Sequence, residues 1–234
     1  MFGRRRMDFL KKAQVVLLDF DGLLVNTEHL HFQAYKRMCF QRGCLLSWTF
    51  VDFCHVAHSS AVGLKEKIYA EHPHLKEFEW QDLYAEKKQH YLALLGEGSV
   101  ELMRGVESFL QYLDRENIKR AVVTNSPKEQ IDLIKAKNPA LQTIPLWITR
   151  EYYLNPKPAP DGYVKAIDQL ASSSERIVGF EDTLRGYLAL EAAKVQGVVV
   201  SEVLSESHKT ELQSRGALIV PSFEAVIESI QNLD

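Results

Sequence analysis

Short runs of Val, Ile and Leu alternate along most of this chain with longer stretches in which apolar residues recur every three or four positions. The short runs predict buried strands, and the longer stretches predict helices with one apolar face. Because each strand is followed by a helix, we expect right-handed crossovers and a parallel sheet covered on both faces. The predicted fold is therefore α/β, a doubly wound, Rossmann-like parallel sheet. Its strands are expected at 15–18, 118–123, 146–149, 177–180, 198–200 and 217–220.

One region lacks this alternation. Between residues 26 and 98 no segment has a strand pattern, and the spacing of apolar residues predicts helices instead. We therefore expect a helical cap domain inserted directly after the first strand. The predicted helices are 27–41, 60–71 and 79–95; the cap domain is 26–98, and the Rossmann-like catalytic core is 1–25 together with 99–234.

The ends of two predicted helices carry recognisable signals. Thr27 is placed to cap the first helix of the insertion, and Gly43 is placed to end it. Ser126 and Pro127 together indicate a helix start, with the serine as cap and the proline at the first helical position.

Composition narrows the range of partners. The 234 residues are 46% hydrophobic and 25% charged, with a formal net charge of -3. This balance is typical of a globular protein and gives no overall attraction to nucleic acid or to an anionic membrane. No apolar run approaches the roughly 20 residues of a membrane helix, and the basic segment 1–6 is expected to be a solvated arm, not a secretory signal. We expect no nucleic-acid or membrane partner, and a monomer or weak dimer.

The three cysteines, Cys39, Cys44 and Cys54, lie close together in the first quarter of the chain. An odd number of cysteines without Cys-x-x-Cys spacing indicates reduced thiols in a cytoplasmic protein. Histidines lie nearby, but a metal site among these cysteines is disfavoured because the spacing of a tetrahedral ligand set is absent.

Two carboxylates follow the first predicted strand. Asp19 and Asp21 are separated by Phe20, and residues two apart in a strand face the same way, so the two acids can converge while Phe20 turns towards the core. Gly22 comes next, where the chain must leave the sheet. Buried carboxylates need a neutralising partner, and bound Mg²⁺ is a common one. The alternative is an ordinary acidic turn, since Asp-Gly is a frequent turn dipeptide.

Polar groups follow three further predicted strands, and ligands of open α/β sheets bind beyond the carboxyl ends of the strands. Each group alone has an ordinary explanation: a helix cap, a solvated lysine, or acidic residues at a helix start. Together they provide the parts of a phosphoryl-transfer site, namely a nucleophilic carboxylate, an acid/base, hydroxyl and amide donors, a cation and metal ligands. The groups are Thr124 with Asn125, Lys157, and Glu181 with Asp182.

These groups occur in four short motifs that resemble those of the haloacid dehalogenase-like hydrolases, over essentially the whole chain. The family members that are true dehalogenases lack the second acid of the first motif and need no metal, so Asp21 and the Glu181-Asp182 pair speak against dehalogenation. The turn after the fourth motif departs from the family pattern, because Lys194 stands where relatives usually have glycine. The motifs are Asp19-Phe20-Asp21-Gly22, Val123-Thr124-Asn125-Ser126, Lys157-Pro158-Ala159-Pro160-Asp161 and Gly179-Phe180-Glu181-Asp182-Thr183.

The resemblance implies a role for each motif residue. Asp19 is expected to be the nucleophile and Asp21 the general acid/base, with Mg²⁺ as the cofactor. The Mg²⁺ ligands implied are Asp19, Asp182 and the main-chain carbonyl of Asp21, with Glu181 assisting directly or through water; Thr124 and Lys157 bind the phosphoryl group, and Gly22 and Asn125 bind substrate.

The helical insertion resembles the cap of the branch that contains phosphoglycolate-type phosphatases and β-phosphoglucomutase. His31 resembles a cap histidine that the mutase uses in coupling cap closure to its acid/base. His55 and His58 are expected in the cap loop where the mutase carries an arginine that grips its second phosphate, and all three histidines are candidates for substrate binding. An imidazole does not provide the bidentate grip of a guanidinium.

We therefore expect a Mg²⁺-dependent phosphatase that acts on a small phosphorylated metabolite. The alternatives are a β-phosphoglucomutase-like sugar-phosphate mutase and, from another class, a non-catalytic phosphate-binding or regulatory protein. The last is disfavoured because every catalytic position of the motifs is filled.

Overall fold

The structure is a computed structural model, and it describes residues 8–59, 61–98, 100–172 and 175–231. The basic segment 1–6 lies outside these residues. The chain separates into two compact units. The core unit combines the chain up to Val25 with the chain from Glu101 onward, and the helical unit is Asn26–Val100. These bounds differ by at most two residues from those expected from the sequence.

The core unit is built on a parallel sheet, six-stranded in the described part of the chain. The strand order is β3-β2-β1-β4-β5-β6, so β1 lies in the middle, and all four of its residues are buried. The sequence-based prediction of a Rossmann-like fold is thus confirmed. The strands are β1 Val15–Leu18, β2 Lys119–Val123, β3 Leu146–Ile148, β4 Ile177–Glu181, β5 Gln196–Val200 and β6 Leu218–Val220.

The register of the central strands aligns their carboxyl ends. Leu18 of β1 is paired with Val122 of β2 on one side and with Phe180 of β4 on the other. The Asp19 amide continues the ladder by donating to the Phe180 carbonyl at 3.0 Å. The residues that follow β1, β2 and β4 therefore emerge side by side at one edge of the sheet.

The described residues also form eleven α-helices. None of these helices combines the length and apolar character that crossing a membrane requires. Helix α6 buries one apolar face, made of Val106, Phe109, Leu110 and Leu113. The helices are α1 Asp8–Lys11, α2 Glu28–Gln41, α3 Phe50–Ser59, α4 Ala61–Glu71, α5 Trp80–Glu97, α6 Val106–Arg115, α7 Lys128–Lys137, α8 Asp161–Leu170, α9 Leu184–Ala192, α10 Glu206–Ser214 and α11 Phe223–Gln231; short 3₁₀ turns lie at Pro73–Glu77, Pro139–Thr143 and Arg150–Tyr152.

The sequence-based prediction that His55 and His58 lie in a loop is wrong, because both belong to α3. The start of this helix is fixed by a reciprocal pair: the Asp52 amide donates to the Thr49 hydroxyl at 3.2 Å, and the Thr49 amide donates to the Asp52 carboxylate at 3.0 Å. This arrangement works like a capping box. The aromatic and β-branched residues that begin the segment masked the helical signal.

Two other predicted helix starts differ in detail. Thr27 occupies the cap position of α2, but its side chain makes no capping hydrogen bond. Ser126 is not a cap either, since α7 begins at Lys128 with Pro127 before it. After α9, Lys194 takes φ 60°, a left-handed conformation that favours glycine.

Candidate active site

Three carboxylates from two strands converge at the edge of the sheet in the core unit. Asp19, Glu181 and Asp182 each place a carboxylate oxygen within 4.8 Å of the other two. All three side chains are buried, with residue exposures of 8%, 1% and 5%. Asp19 follows β1, and the other pair ends and follows β4, so the register of these strands brings the acids together. The structure thus brings together the acids that we expected, from the sequence, to meet at this edge.

Lys157 lies in the middle of this acidic cluster. Its Nζ donates to the Asp19 carboxylate, lies 2.7 Å from Oε1 of Glu181, and donates to the Val123 carbonyl at 2.8 Å. Burial alone would lower the pKa of Lys157, but the adjacent charges of Asp19 and Glu181 outweigh burial and raise it. The ammonium therefore stays charged and partly neutralises the cluster.

Glu181 is held from two further directions. The hydroxyl of Tyr163, a fully buried residue of α8, donates to Oε1 of Glu181. On the other side, a Cβ atom at Gly186 would lie 1.8 Å from Oε2 of Glu181, so only glycine fits there. Burial, and then the charge of Asp19, raise the pKa of Glu181. The carboxylate is thus fixed in position between a tyrosine, a lysine and the first turn of α9.

Asp21 is oriented by hydroxyl groups that follow β2. Ser126 Oγ donates to Oδ2 of Asp21 at 2.6 Å, and Thr124 Oγ1 approaches the same oxygen at 3.3 Å. The next residue, Gly22, adopts φ 78°, and its amide donates to the Val25 carbonyl at 2.9 Å. The tight turn expected at this glycine is therefore present, and it directs Asp21 towards the β2 end.

Asn125 connects the second and third motifs. Its Oδ1 accepts hydrogen bonds from the Lys157 amide at 3.2 Å and from the Tyr153 hydroxyl at 2.8 Å. The Tyr153 hydroxyl also lies 2.6 Å from the Thr124 carbonyl, so it ties the end of β2 to the loop that carries Lys157. In this arrangement the side chain of Asn125 orders the lysine loop.

The charge of this cluster favours a divalent cation. Three buried carboxylates, those of Asp19, Glu181 and Asp182, lie within 4.8 Å of one another, and the Lys157 ammonium contacts two of them, Asp19 and Glu181. Their ligand atoms are all oxygens, the donors that Mg²⁺ prefers, and their separation is within reach of a shared ion. Asp19, Glu181 and Asp182 are therefore the residues that could hold the metal.

The histidine candidates lie in the helical unit. Lys87 Nζ lies 2.7 Å from His31 Nδ1, and the His31 ring stacks on Tyr91 with centroids 4.1 Å apart. Burial and the neighbouring Lys87 lower the pKa of His31 to about 3, so this imidazole is neutral. His55 is half-buried on α3, and His58 is buried beside Glu28.

Several residues of the core site escaped the sequence analysis. Tyr163 carries an apolar ring in a helical stripe, so it could not be told from a core residue. Tyr153 and Gly186 have no sequence signal, because their roles depend on which segments pack against them. Ser126 was identified as a helix cap, although its position next to Thr124 would have allowed a role at the same strand end.

Comparison with known proteins agrees with the motifs. The sequence profile of the haloacid dehalogenase-like hydrolases matches residues 16–200. The chain is 26% identical to the "phosphorylated carbohydrates phosphatase" of Thermotoga maritima, with 94% of this chain and 99% of that protein covered. It is 24% identical to protein CbbY of Rhodobacter capsulatus, covering 80% of this chain and 85% of that one.

A solved structure gives the same result for the fold. The crystal structure of a haloacid dehalogenase (HAD) hydrolase, family IA, variant 3, from Entamoeba histolytica superposes with a TM-score of 0.74 at 25% identity, and the alignment covers 94% of this chain and 98% of that one. Because the family profile spans most of the chain, including the residues that follow β1, β2 and β4, the protein belongs to the haloacid dehalogenase-like hydrolases.

Proposed function

We propose that this protein is a Mg²⁺-dependent phosphatase that hydrolyses a small phosphorylated metabolite through an aspartyl-phosphate. The observation that carries the proposal is the convergence of Asp19, Glu181 and Asp182 within 4.8 Å of one another, with the ammonium of Lys157 in contact with Asp19 and Glu181. A nucleophile, a metal-binding set and a phosphate-binding cation are what phosphoryl transfer to a carboxylate requires. The relative from Thermotoga maritima, which is named as a phosphatase of phosphorylated carbohydrates, supports the same class of substrate.

The first step assigned to the protein's own groups is attack by Asp19 on phosphorus. Lys157 donates to Oδ1 of Asp19, which orients the carboxylate and leaves Oδ2 to form the new bond. As the P–O bond to the leaving group breaks, Asp21 gives its proton to the leaving oxygen. The same residue then takes a proton from the water that hydrolyses the acyl-phosphate, which returns Asp19 to its starting state.

Binding of the phosphoryl group is assigned to Thr124, whose hydroxyl contacts Asp21, and to Lys157, whose ammonium contacts Asp19. Bound Mg²⁺, held by Asp19, Glu181 and Asp182, would offset negative charge on the phosphoryl oxygens. The helical unit is proposed to be the cap of this family and to select the substrate. His31 is neutral, and its Nδ1 lies 2.7 Å from Lys87 Nζ. This contact gives no support to the mutase alternative, in which His31 would couple cap closure to the acid/base residue.

The test is phosphate release from a panel of phosphorylated metabolites by the full chain with Mg²⁺. The Asp19→Asn variant is expected to lose activity by at least about 10⁴-fold with an unchanged circular dichroism spectrum, because the nucleophile is removed. Asp168→Asn is the matched control, since Asp168 is exposed on α8. Substantial turnover by Asp19→Asn would refute covalent catalysis at this residue.

A second assay separates the phosphatase from the mutase. The protein is incubated with β-glucose 1-phosphate and a bisphosphate primer, and free phosphate and glucose 6-phosphate are both measured. Free phosphate as the main product supports the proposal, whereas glucose 6-phosphate as the main product overturns it. If neither forms and the whole panel is inert with Mg²⁺, the alternative of a non-catalytic phosphate-binding protein replaces it.

A further inference from the structure

The helical unit contains a second cluster of metal-binding side chains, made of different atoms from those of the core site. Glu28, Cys54 and His58 each offer one ligand atom, and these atoms lie within 4.8 Å of one another. Cys54 and His58 are four residues apart on α3, so they share one face of that helix. Glu28 is the first residue of α2, and its Oε1 lies 3.6 Å from His58 Nε2. Two helices therefore meet at a thiol, an imidazole and a carboxylate.

An independent observation indicates a ligand at this point. Nε2 of His58 is buried and makes no hydrogen bond, and the His58 side chain is only 6% exposed. A buried polar atom without a hydrogen bond costs about 1–3 kcal/mol, so native proteins rarely leave one. The nitrogen faces the carboxylate of Glu28, the side on which a cation would be held.

The types and spacing of the donor atoms identify the class of metal. Thiolate and imidazole ligands suit Zn²⁺ and related transition metals, whereas Mg²⁺ takes oxygen ligands. In a tetrahedral zinc site, nitrogen and oxygen ligands lie about 3.4 Å apart, close to the 3.6 Å between His58 Nε2 and Glu28 Oε1. Three protein ligands leave the fourth position to water.

We infer that Glu28, Cys54 and His58 form a zinc-class metal site within the helical unit, separate from the Mg²⁺ site proposed for the core unit. Binding would convert the Cys54 thiol to a metal-bound thiolate and release its proton to solvent, with no change of oxidation state. His58, a substrate-binding candidate on sequence grounds, is by this inference a metal ligand. The ammonium of Lys87 also acts on Glu28, so we expect weaker binding than in a four-cysteine site.

The distribution of cysteines makes the site directly measurable. All three cysteines of the chain, Cys39, Cys44 and Cys54, lie between residues 26 and 100. A Co²⁺ ion bound to a thiolate absorbs through sulfur-to-cobalt charge transfer, whereas an ion held by the carboxylates of the core unit does not. Titration of the chelator-treated full chain with Co²⁺ is therefore expected to give a charge-transfer band that saturates and is abolished by Zn²⁺.

Variants test the three ligands. Cys54→Ser is expected to lose the band, and His58→Gln and Glu28→Gln to weaken Co²⁺ binding at least tenfold. Cys44→Ser is the matched control, because Cys44 is a buried thiol that donates to the Cys39 carbonyl at 3.2 Å and is not part of the cluster. Circular dichroism of each metal-free variant checks that it folds.

Three results would overturn the inference: no charge-transfer band in the unmodified chain, a band that survives Cys54→Ser, or a band that Cys44→Ser removes. The inference is also independent of the proposed phosphatase activity. Asp182→Asn, which alters the core site, is expected to leave the band unchanged, so a failure of either proposal can be recognised without the other.

Discussion

Gly186 is the position where a single methyl group should do most damage to the core site. A Cβ atom there would lie 1.8 Å from Oε2 of Glu181, whereas Cβ atoms essentially never approach closer than 3.0 Å, so one of them must move by about 1.2 Å. The contact is with the buried carboxylate of Glu181, and its contacts with Tyr163 and Lys157 limit how far this carboxylate can move.

The expected cost of Gly186→Ala follows from competing effects. Alanine is the better helix former by about 1 kcal/mol. Against this, the added methyl group forces Glu181 to move, and breaking its buried ion pair with Lys157 costs about 3–5 kcal/mol. We expect a net loss of about 2–4 kcal/mol in the free energy of unfolding, measured by urea denaturation. Because Glu181 is also a candidate metal ligand, phosphate release at limiting Mg²⁺ should fall about 10–100-fold.

Gly96→Ala is the control for this prediction. Gly96 also lies in a helix, α5, but a Cβ atom there would meet nothing within 4 Å. Helix propensity alone then applies, and we expect unchanged activity and a small gain in stability, up to about 1 kcal/mol. If Gly186→Ala matched Gly96→Ala in both measurements, the close packing of α9 against Glu181 would be refuted.

Three further predictions concern single side chains. Ser126→Ala removes the 2.6 Å hydrogen bond to Asp21, and we expect kcat to fall about tenfold with KM unchanged, a loss of about 1.4 kcal/mol; an unchanged kcat would contradict the orienting role. Tyr163→Phe removes the tyrosine hydrogen bond to Glu181 and leaves Lys157 as its remaining buried contact, so urea denaturation should show a loss of about 1–3 kcal/mol in the free energy of unfolding; a fall in kcat without any loss of stability would contradict this role. The pKa of His31 is lowered from 6.5 to about 3; its neutral state therefore stabilises the fold above pH 6.5, and that stability declines as the pH falls towards 3. Between pH 7 and pH 5 we expect a loss on the order of 1–2 kcal/mol that His31→Gln removes, and equal pH dependence of the two proteins would count against this.

The positions of the strands along the chain and of the first motif could be predicted from the sequence because both depend on local pattern. The apolar run Val15–Leu18 ends at Asp19, and that boundary is also the end of β1. Since parallel strands align their carboxyl ends, the acids after β1 and β4 had to lie near each other. The family profile over residues 16–200 confirms the family that the motifs indicated.

Other features depended on contacts that a linear pattern does not contain. Ser126 has the composition and position of a helix cap, but its hydroxyl binds Asp21, more than a hundred residues earlier in the chain. Helix α3 was not predicted because its first residues, Phe50 and Val51, have low helix propensity, and its capping pair of Thr49 and Asp52 was overlooked. Lys87 looks like a surface lysine, yet it is 4% exposed and lies over the ring of Tyr91.

The electrostatics of the core site explain why its residues come from separate segments. Two adjacent buried carboxylates raise each other's pKa, and a site made of one acidic segment alone would tend to bind protons. Here the ammonium of Lys157, carried on a different loop, contacts both Asp19 and Glu181 and offsets part of the negative charge of the cluster. One ammonium cannot balance the three carboxylates that meet here, so the cluster as a whole keeps an excess of negative charge. This excess of negative charge would attract a divalent cation, and the bound cation would in turn supply the positive charge that the proposed phosphoryl transfer requires.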